Sequence, residues 1–256
     1  MTANAFAAGA TLVSLAFACS TFERWLVGRR PHELAWSVSL LMFALGSAAL
    51  WAGAALGWEA WSFRTFYLFG GILNVPFLAL GTIYLLAGQR IGDRVGVGLC
   101  LFAAFAAGVL AVAPLQKAVA PDEFPEGRDL LGVLPRIFAG VGSGLAATVI
   151  IVGAIWSAVA LVRRRGPTRM AVANVLIAAG TLLISAKQLF EGLGDEETAF
   201  SMALASGIAI VFVGFLITNT VTARPALDPD AALAELTAGA GDEAPLSASA
   251  SAQRAP

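Results

Sequence analysis

The chain has 256 residues, of which 58% are hydrophobic and 13% are charged, and its formal net charge is −1. Soluble domains carry about 25% charged residues, so a water-soluble fold is excluded. The balanced charge gives no basic field, and nucleic-acid binding is therefore not expected. The single histidine excludes a histidine-rich metal or haem site, so we predict neither a metal nor another cofactor. Cys19 and Cys100 have apolar neighbours, which predicts buried thiols.

Seven apolar stretches reach the length of about 20 residues that a membrane-spanning helix needs. None alternates as the strands of a barrel do, so helices are the structure that satisfies the backbone in lipid. The sequence predicts an all-α polytopic membrane protein, with a seven-helix transmembrane domain over residues 1–223. The predicted spans are 4–23, 34–56, 65–87, 95–115, 137–162, 170–190 and 198–222.

Charge predicts the orientation of these spans. Arginines concentrate in the first, third and fifth connections, whereas most acidic residues lie in the other three. The positive-inside rule then places the N-terminus outside and the C-terminus in the cytoplasm, in agreement with an odd number of spans. Residues 224–256 are rich in Ala, Pro and Ser and lack aromatic residues. They are predicted to form a disordered cytoplasmic tail.

The first connection, "FERWLVGRRPHE", carries basic residues and the histidine, His32. We interpret its positive charge as a signal that sets the orientation of the chain in the membrane. Binding of anionic lipid, or a response to pH through His32, are the alternatives. Trp51, Trp58 and Trp61 cluster where the second span ends and the third begins. They indicate the aromatic belt of a bilayer protein, and a choline-type aromatic cage is the alternative.

The third span contains the candidate ligand-binding residues Asn74, Pro76 and Tyr67. Pro76 cannot donate to the carbonyl of Ile72, so a kink is expected there. The Asn74 amide is then available to satisfy freed carbonyls, to bond a neighbouring helix, or to face a ligand.

Small residues recur at the spacing of helix-packing motifs. Gly53 and Gly57, and Gly140 and Gly144, are predicted to allow close helix contact, with a homodimer face as the alternative. The acidic residues of the fourth and sixth connections match no calcium-binding loop, so we predict no metal site there.

In the sixth span, Lys187 lies about 27 Å along the helix from Arg169, which places it near the edge of the hydrocarbon core. Glu191 follows four residues later, so the two predict an interfacial ion pair. The last span contains no lysine, which excludes a retinal anchor of the microbial-rhodopsin kind. No nucleophile elbow, zinc-ligand pair or phosphate loop is present.

The membrane region resembles uncharacterised seven-span proteins of GC-rich bacteria. The segment from Arg29 to Arg90 also resembles the seven-helix input modules of bacterial sensor kinases. A basic loop, a tryptophan-containing second helix and a proline in the third helix carry this likeness, through Arg29, Arg30, Trp51, Pro76 and Tyr84. The resemblance implies a sensor-like role and assigns no functional residue.

Together these features predict a multi-pass protein of the bacterial cell membrane that is not an enzyme. We expect a sensor-like or accessory subunit that acts through helix packing with a membrane protein partner or as a homodimer. The alternatives are a small-solute transporter or channel with its site at the kinked third span, and an intramembrane lipid enzyme.

Overall fold

The computed structural model describes residues 2–163, six isolated helical positions between 172 and 183, and residues 196–222. Within these ranges the chain is helical and contains no strand. The helices are α1 (Thr2–Gly28), α2 (Pro31–Leu56), α3 (Ala60–Phe66), a π-helix (Tyr67–Leu73), α4 (Asn74–Ala87), α5 (Gln89–Val112), α6 (Gly127–Leu130), α7 (Val133–Arg163) and α8 (Glu196–Thr222).

Six helical runs in the described part of the chain are long and apolar enough to cross a membrane: α1, α2, the continuous run from α3 through α4, α5, α7 and α8. This confirms a multi-pass, all-α membrane protein. Apart from the isolated positions, the predicted span 170–190 lies outside the described residues, as do Lys187, Glu191 and the predicted tail 224–256.

Most helices begin earlier than predicted, so some connections are shorter. The first one shrinks to Arg29 and Arg30, because α1 continues to Gly28 and α2 begins at Pro31. Proline is favourable at the first helical position, where its missing N–H would have had no partner. We call this end of the bundle, which also carries the α4–α5 connection, the arginine-rich end.

The third span packs against α2, α5 and α7, while α1 packs against α2 and α8. The closest backbone approach joins α2 to the π-helix. A Cβ atom placed on Gly46 would lie 2.9 Å from the amide nitrogen of Gly70 and 3.0 Å from its Cα. A glycine at position 46 is thus needed to bring these helices together, although Gly46 was not among the predicted packing residues.

The connection between α5 and α7 folds over the opposite end of the bundle. Its Pro121 carbonyl accepts a 2.9 Å hydrogen bond from the backbone N–H of Trp58, and the Trp58 ring lies edge-on to Phe124. Trp58 is only 2% exposed, whereas Trp61 is 56% exposed. The prediction of an interfacial belt is therefore wrong for Trp58, because the folded connection covers its ring.

The outward faces of α5 and α7 expose large aliphatic side chains, as expected where lipid replaces water. Both cysteines are also exposed on the surface of the chain. The prediction of buried thiols is therefore wrong. Apolar sequence neighbours indicate burial in a soluble protein, but in a membrane helix they are equally typical of a side chain that faces lipid.

Candidate ligand-binding cavity

The third span is interrupted by a π-helix that ends next to Asn74. The Asn74 backbone N–H donates to the carbonyl of Phe69, five residues earlier, instead of four as in an α-helix. With this spacing, the residue that would donate to the Gly71 carbonyl is Pro76, which has no N–H. The wide turn therefore leaves the Gly71 carbonyl without a backbone donor.

Two serines on other helices donate to carbonyls of this turn. Ser143 Oγ on α7 lies 2.9 Å from the Gly71 carbonyl oxygen, and Ser39 Oγ on α2 lies 2.7 Å from the Asn74 carbonyl oxygen. An unpaired buried acceptor costs about 1–3 kcal/mol. These bonds therefore stabilise the break and tie the third span to two neighbours.

The Asn74 carboxamide takes no part in this arrangement. The residue is 9% exposed, and among the described residues its side chain makes no hydrogen bond to the protein. A carboxamide has two N–H donors and one carbonyl acceptor, and none of them is bonded to the described protein. The amide is thus available to a molecule that enters from outside the protein.

Asn74 lines an interior cavity of about 180 Å³. Along α4 the wall is formed by Asn74, Val75, Leu78 and Thr82, whose spacings of three and four residues place them on one helix face. The remaining walls are largely apolar and come from α1, α2, α7 and α8: Phe17, Trp36, Ser39, Leu40, Phe43, Ala147, Ile150, Ile208, Val211 and Phe215.

The size and lining of the cavity limit what it can hold. A dry cavity of about 150 Å³ accommodates benzene, whereas drug-sized ligands occupy pockets of about 300–1,000 Å³. The polar groups are few: the Asn74 amide and the Thr82 hydroxyl on α4, and the Ser39 hydroxyl on α2. The arrangement fits a molecule of about benzene size that carries one hydrogen-bonding group.

The structure separates the three predicted ligand-binding residues. Asn74 lines the cavity, whereas Pro76 packs beside α7, with Cγ 3.8 Å from a Cβ placed on Gly142. Tyr67 begins the π-helix and lies against Gly127 and the ring of Phe63. Pro76 thus shapes the turn, and Tyr67 belongs to the contact between the third span and the folded connection.

The predicted packing glycines also occupy different settings. Gly53 lies under the Trp58 ring, and Gly57 ends α2 with a φ of +92° beside Pro121. Among the described residues, no atom lies within 4 Å of a Cβ placed on Gly140 or Gly144. These two glycines therefore make no close helix contact within the described part of the chain.

At the arginine-rich end, Arg24 forms an ion pair with Glu33, and His32 Nε2 lies 3.6 Å from the same carboxylate oxygen. Glu33 is 1% exposed, and its second oxygen has no hydrogen-bond partner among the described residues. Arg24 also lies over the Phe215 ring, 4.9 Å from its centroid. This pair fixes α1, α2 and α8 together below the cavity.

Two ion pairs form within the acidic connection between α5 and α7. Lys117 lies 3.4 Å from Asp129, and Arg128 lies 3.4 Å from Glu126. Within the described ranges, no group of three or more His, Cys, Asp or Glu residues is placed to hold a metal ion.

Sequence reasoning missed Ser39, Ser143, Trp36 and Thr82. A serine in a membrane helix most often bonds a carbonyl of its own helix, as Ser14 does to Ala10. The available signal was the presence of small hydroxyl residues in the second and fifth predicted spans, beside a span that contains a proline. That signal does not reveal which serine reaches across.

Comparison with family models, with curated proteins and with solved structures gives no match for this chain.

Proposed function

We propose that the protein is a non-enzymatic, sensor-like subunit of the bacterial cytoplasmic membrane that binds a small, mostly apolar molecule. In this proposal the chain crosses the membrane seven times, with its N-terminus outside and its C-terminus in the cytoplasm. The observation that carries the proposal is the buried Asn74 carboxamide, which lines the cavity and makes no hydrogen bond to the described protein.

The position of the cavity supports a sensing role. Its wall combines side chains of α1, α2, α4, α7 and α8, so an occupant contacts helices that belong to both halves of the chain. A ligand shifts a conformational equilibrium only by its difference in affinity between the two states. A site between five helices is sensitive to their relative positions, and a partner in the membrane would detect the change.

Phenol and toluene form a matched pair of probes for this site, since only phenol carries a hydrogen-bonding group. We expect saturable binding of phenol to the full chain in mild detergent, measured by isothermal titration calorimetry. Asn74→Leu should weaken phenol binding about fivefold, the effect of one hydrogen bond of about 1 kcal/mol, and should leave toluene binding unchanged or stronger. Tyr67→Phe, on the same span but outside the cavity wall, is the control.

Loss of affinity for both probes in Asn74→Leu would point to a collapsed cavity, and equal phenol affinity in the two variants would refute the site. Native mass spectrometry of the protein after mild extraction tests the subunit role. A stoichiometric second polypeptide is expected, and a bare monomer under every extraction condition contradicts that role.

A transporter of a small solute is the second candidate, favoured by the π-helix that breaks the third span beside the cavity. Broken helices with polar groups at mid-depth are how many transporters form their substrate sites. If the protein is a transporter, proteoliposomes that contain it should show a solute flux that phenol inhibits by competition. Asn74→Leu should abolish that flux. The sensor predicts binding without flux.

A further inference from the structure

A second concave surface lies on the outside of the bundle at the arginine-rich end. It is a groove of about 540 Å³, with α4 as its floor and with α2 and α5 as its walls. Its surface is almost entirely apolar and includes Leu34, Val38, Phe77, Leu80, Val97 and Leu101. We call it the α2–α5 groove. It is separate from the interior cavity, whose α2 and α4 side chains are different ones.

The dimensions of the α2–α5 groove match a lipid chain. It extends from Pro31 to Val38 on α2 and from Asp93 to Leu101 on α5, which corresponds to about 10–12 Å of helix. One leaflet contributes about half of a hydrocarbon core of about 30 Å. The groove therefore runs from the membrane surface through most of one leaflet, and it ends before the midplane.

Positive charge collects where the groove reaches the membrane surface. Arg30 directly precedes Pro31, and Arg90 and Arg94 continue the helix face of Val97 and Leu101 at spacings of three and four residues. None of these three arginines forms an ion pair within the described ranges. All three are exposed.

The helices themselves add to this positive field. Both α2 and α5 begin at this end, and neither has a side-chain cap on its first N–H groups. Uncapped N-termini carry partial positive charge and attract anions such as phosphate. The acid within the groove wall, Asp93, accepts a 2.9 Å hydrogen bond from the Tyr84 hydroxyl and offsets only part of the charge.

We infer that the α2–α5 groove binds one anionic phospholipid, with an acyl chain along the apolar walls and the headgroup phosphate between Arg30, Arg90 and Arg94. The charge complementarity between the three unpaired arginines and a phosphate selects this occupant over a second protein copy, whose lipid-facing surface is apolar. The site would make packing of α2, α4 and α5 depend on membrane composition.

Binding of phosphatidylglycerol and of phosphatidylcholine with the same acyl chains is compared by native mass spectrometry on delipidated full-length protein. Each basic residue near a membrane surface contributes about a fivefold gain in attraction for anionic lipid. We therefore expect the first phosphatidylglycerol to bind at least tenfold more tightly than phosphatidylcholine. The triple variant Arg30→Gln, Arg90→Gln and Arg94→Gln should lose this preference, whereas Arg128→Gln at the other end should retain it.

Two glycine variants test the acyl-chain half of the site. A Cβ on Gly96 meets Tyr84 and Leu80 at ordinary contact distances, so Gly96→Leu fills the groove without a backbone clash. Gly98→Leu, on the opposite face of α5 where no described atom lies within 4 Å, is the matched control. We expect Gly96→Leu to weaken both lipids at least fivefold and Gly98→Leu to weaken neither.

The inference is overturned if the triple variant keeps its preference for phosphatidylglycerol, or if the two glycine variants behave alike. It is also overturned if lipid-free protein forms dimers that Gly96→Leu disrupts, because a second copy would then occupy the groove. Thermal unfolding of each variant separates loss of the fold from loss of the site. Phenol binding should persist in all of them, since the interior cavity is a different site.

Discussion

Replacement of Gly46 by alanine tests the closest helix contact in the fold. The new methyl group would lie 2.9 Å from the Gly70 nitrogen and 3.0 Å from its Cα, whereas carbon atoms pack at about 3.5–4.0 Å. These neighbours are backbone atoms, so they cannot rotate away as the end of a side chain can. The α2 helix and the π-helix must therefore move apart by about 0.5–1 Å, which forfeits a quarter to a half of the dispersion energy at that contact.

Overpacking of this kind costs about 1–3 kcal/mol of unfolding free energy. For a chain of this size each kcal/mol lowers Tm by about 2–4 °C, so we expect the Tm of Gly46→Ala to lie about 2–12 °C below that of Gly140→Ala, a variant without this contact. Tryptophan fluorescence during heating in mild detergent provides the measurement.

Gly140→Ala is the matched control, because a Cβ at Gly140 meets no described atom within 4 Å. Both substitutions gain the same helix propensity of about 1 kcal/mol relative to glycine. The difference between the two variants therefore isolates the contact with Gly70. Equal Tm values for the two variants would refute the close approach of α2 and the π-helix.

Two further variants test the break in the third span and the lipid-facing surface. Ser143→Ala leaves the Gly71 carbonyl without its donor and should lower the unfolding free energy by about 1–3 kcal/mol. The control Thr148→Ala removes a hydroxyl that bonds its own helix, and its loss of unfolding free energy should be less than half as large in the same assay. Replacement of Cys19 and Cys100 by alanine should change stability by less than about 0.5 kcal/mol, and a larger loss would mean that these exposed thiols pack against protein.

The positions of the spans could be predicted from the sequence because lipid imposes a simple rule. A run of about 20 apolar residues must be helical to satisfy its backbone, and the six described spans follow this rule. The ends were less predictable. Arginines at the end of α1 and at the beginning of α5 were assigned to connections, but their helices continue through them, since long basic side chains can reach the interface from a helix.

The candidate site was predictable at one residue only. Asn74 was identifiable because an amide and a proline are unusual at mid-depth of a membrane helix. The π-helix was not, because it depends on hydroxyl donors from α2 and α7 that approach only in the folded bundle. The closest helix contact was not predicted for a related reason. Gly46 and Gly70 lie on two different helices, so no spacing motif within either helix indicates that they meet.

The hydrogen bonds around the π-helix bear directly on why Asn74 is an asparagine. Had its amide served to satisfy freed carbonyls, Asn74→Leu would lower the unfolding free energy by about 1–3 kcal/mol. Ser39 and Ser143 already donate to carbonyls of this turn, and the amide, on the cavity wall, makes no bond to the described protein. Leucine at this position should then be neutral or stabilising while phenol affinity falls. If Asn74→Leu is more stable than the wild type but binds phenol more weakly, the asparagine serves ligand binding and not the fold. If the variant loses both stability and phenol binding, the amide stabilises the turn.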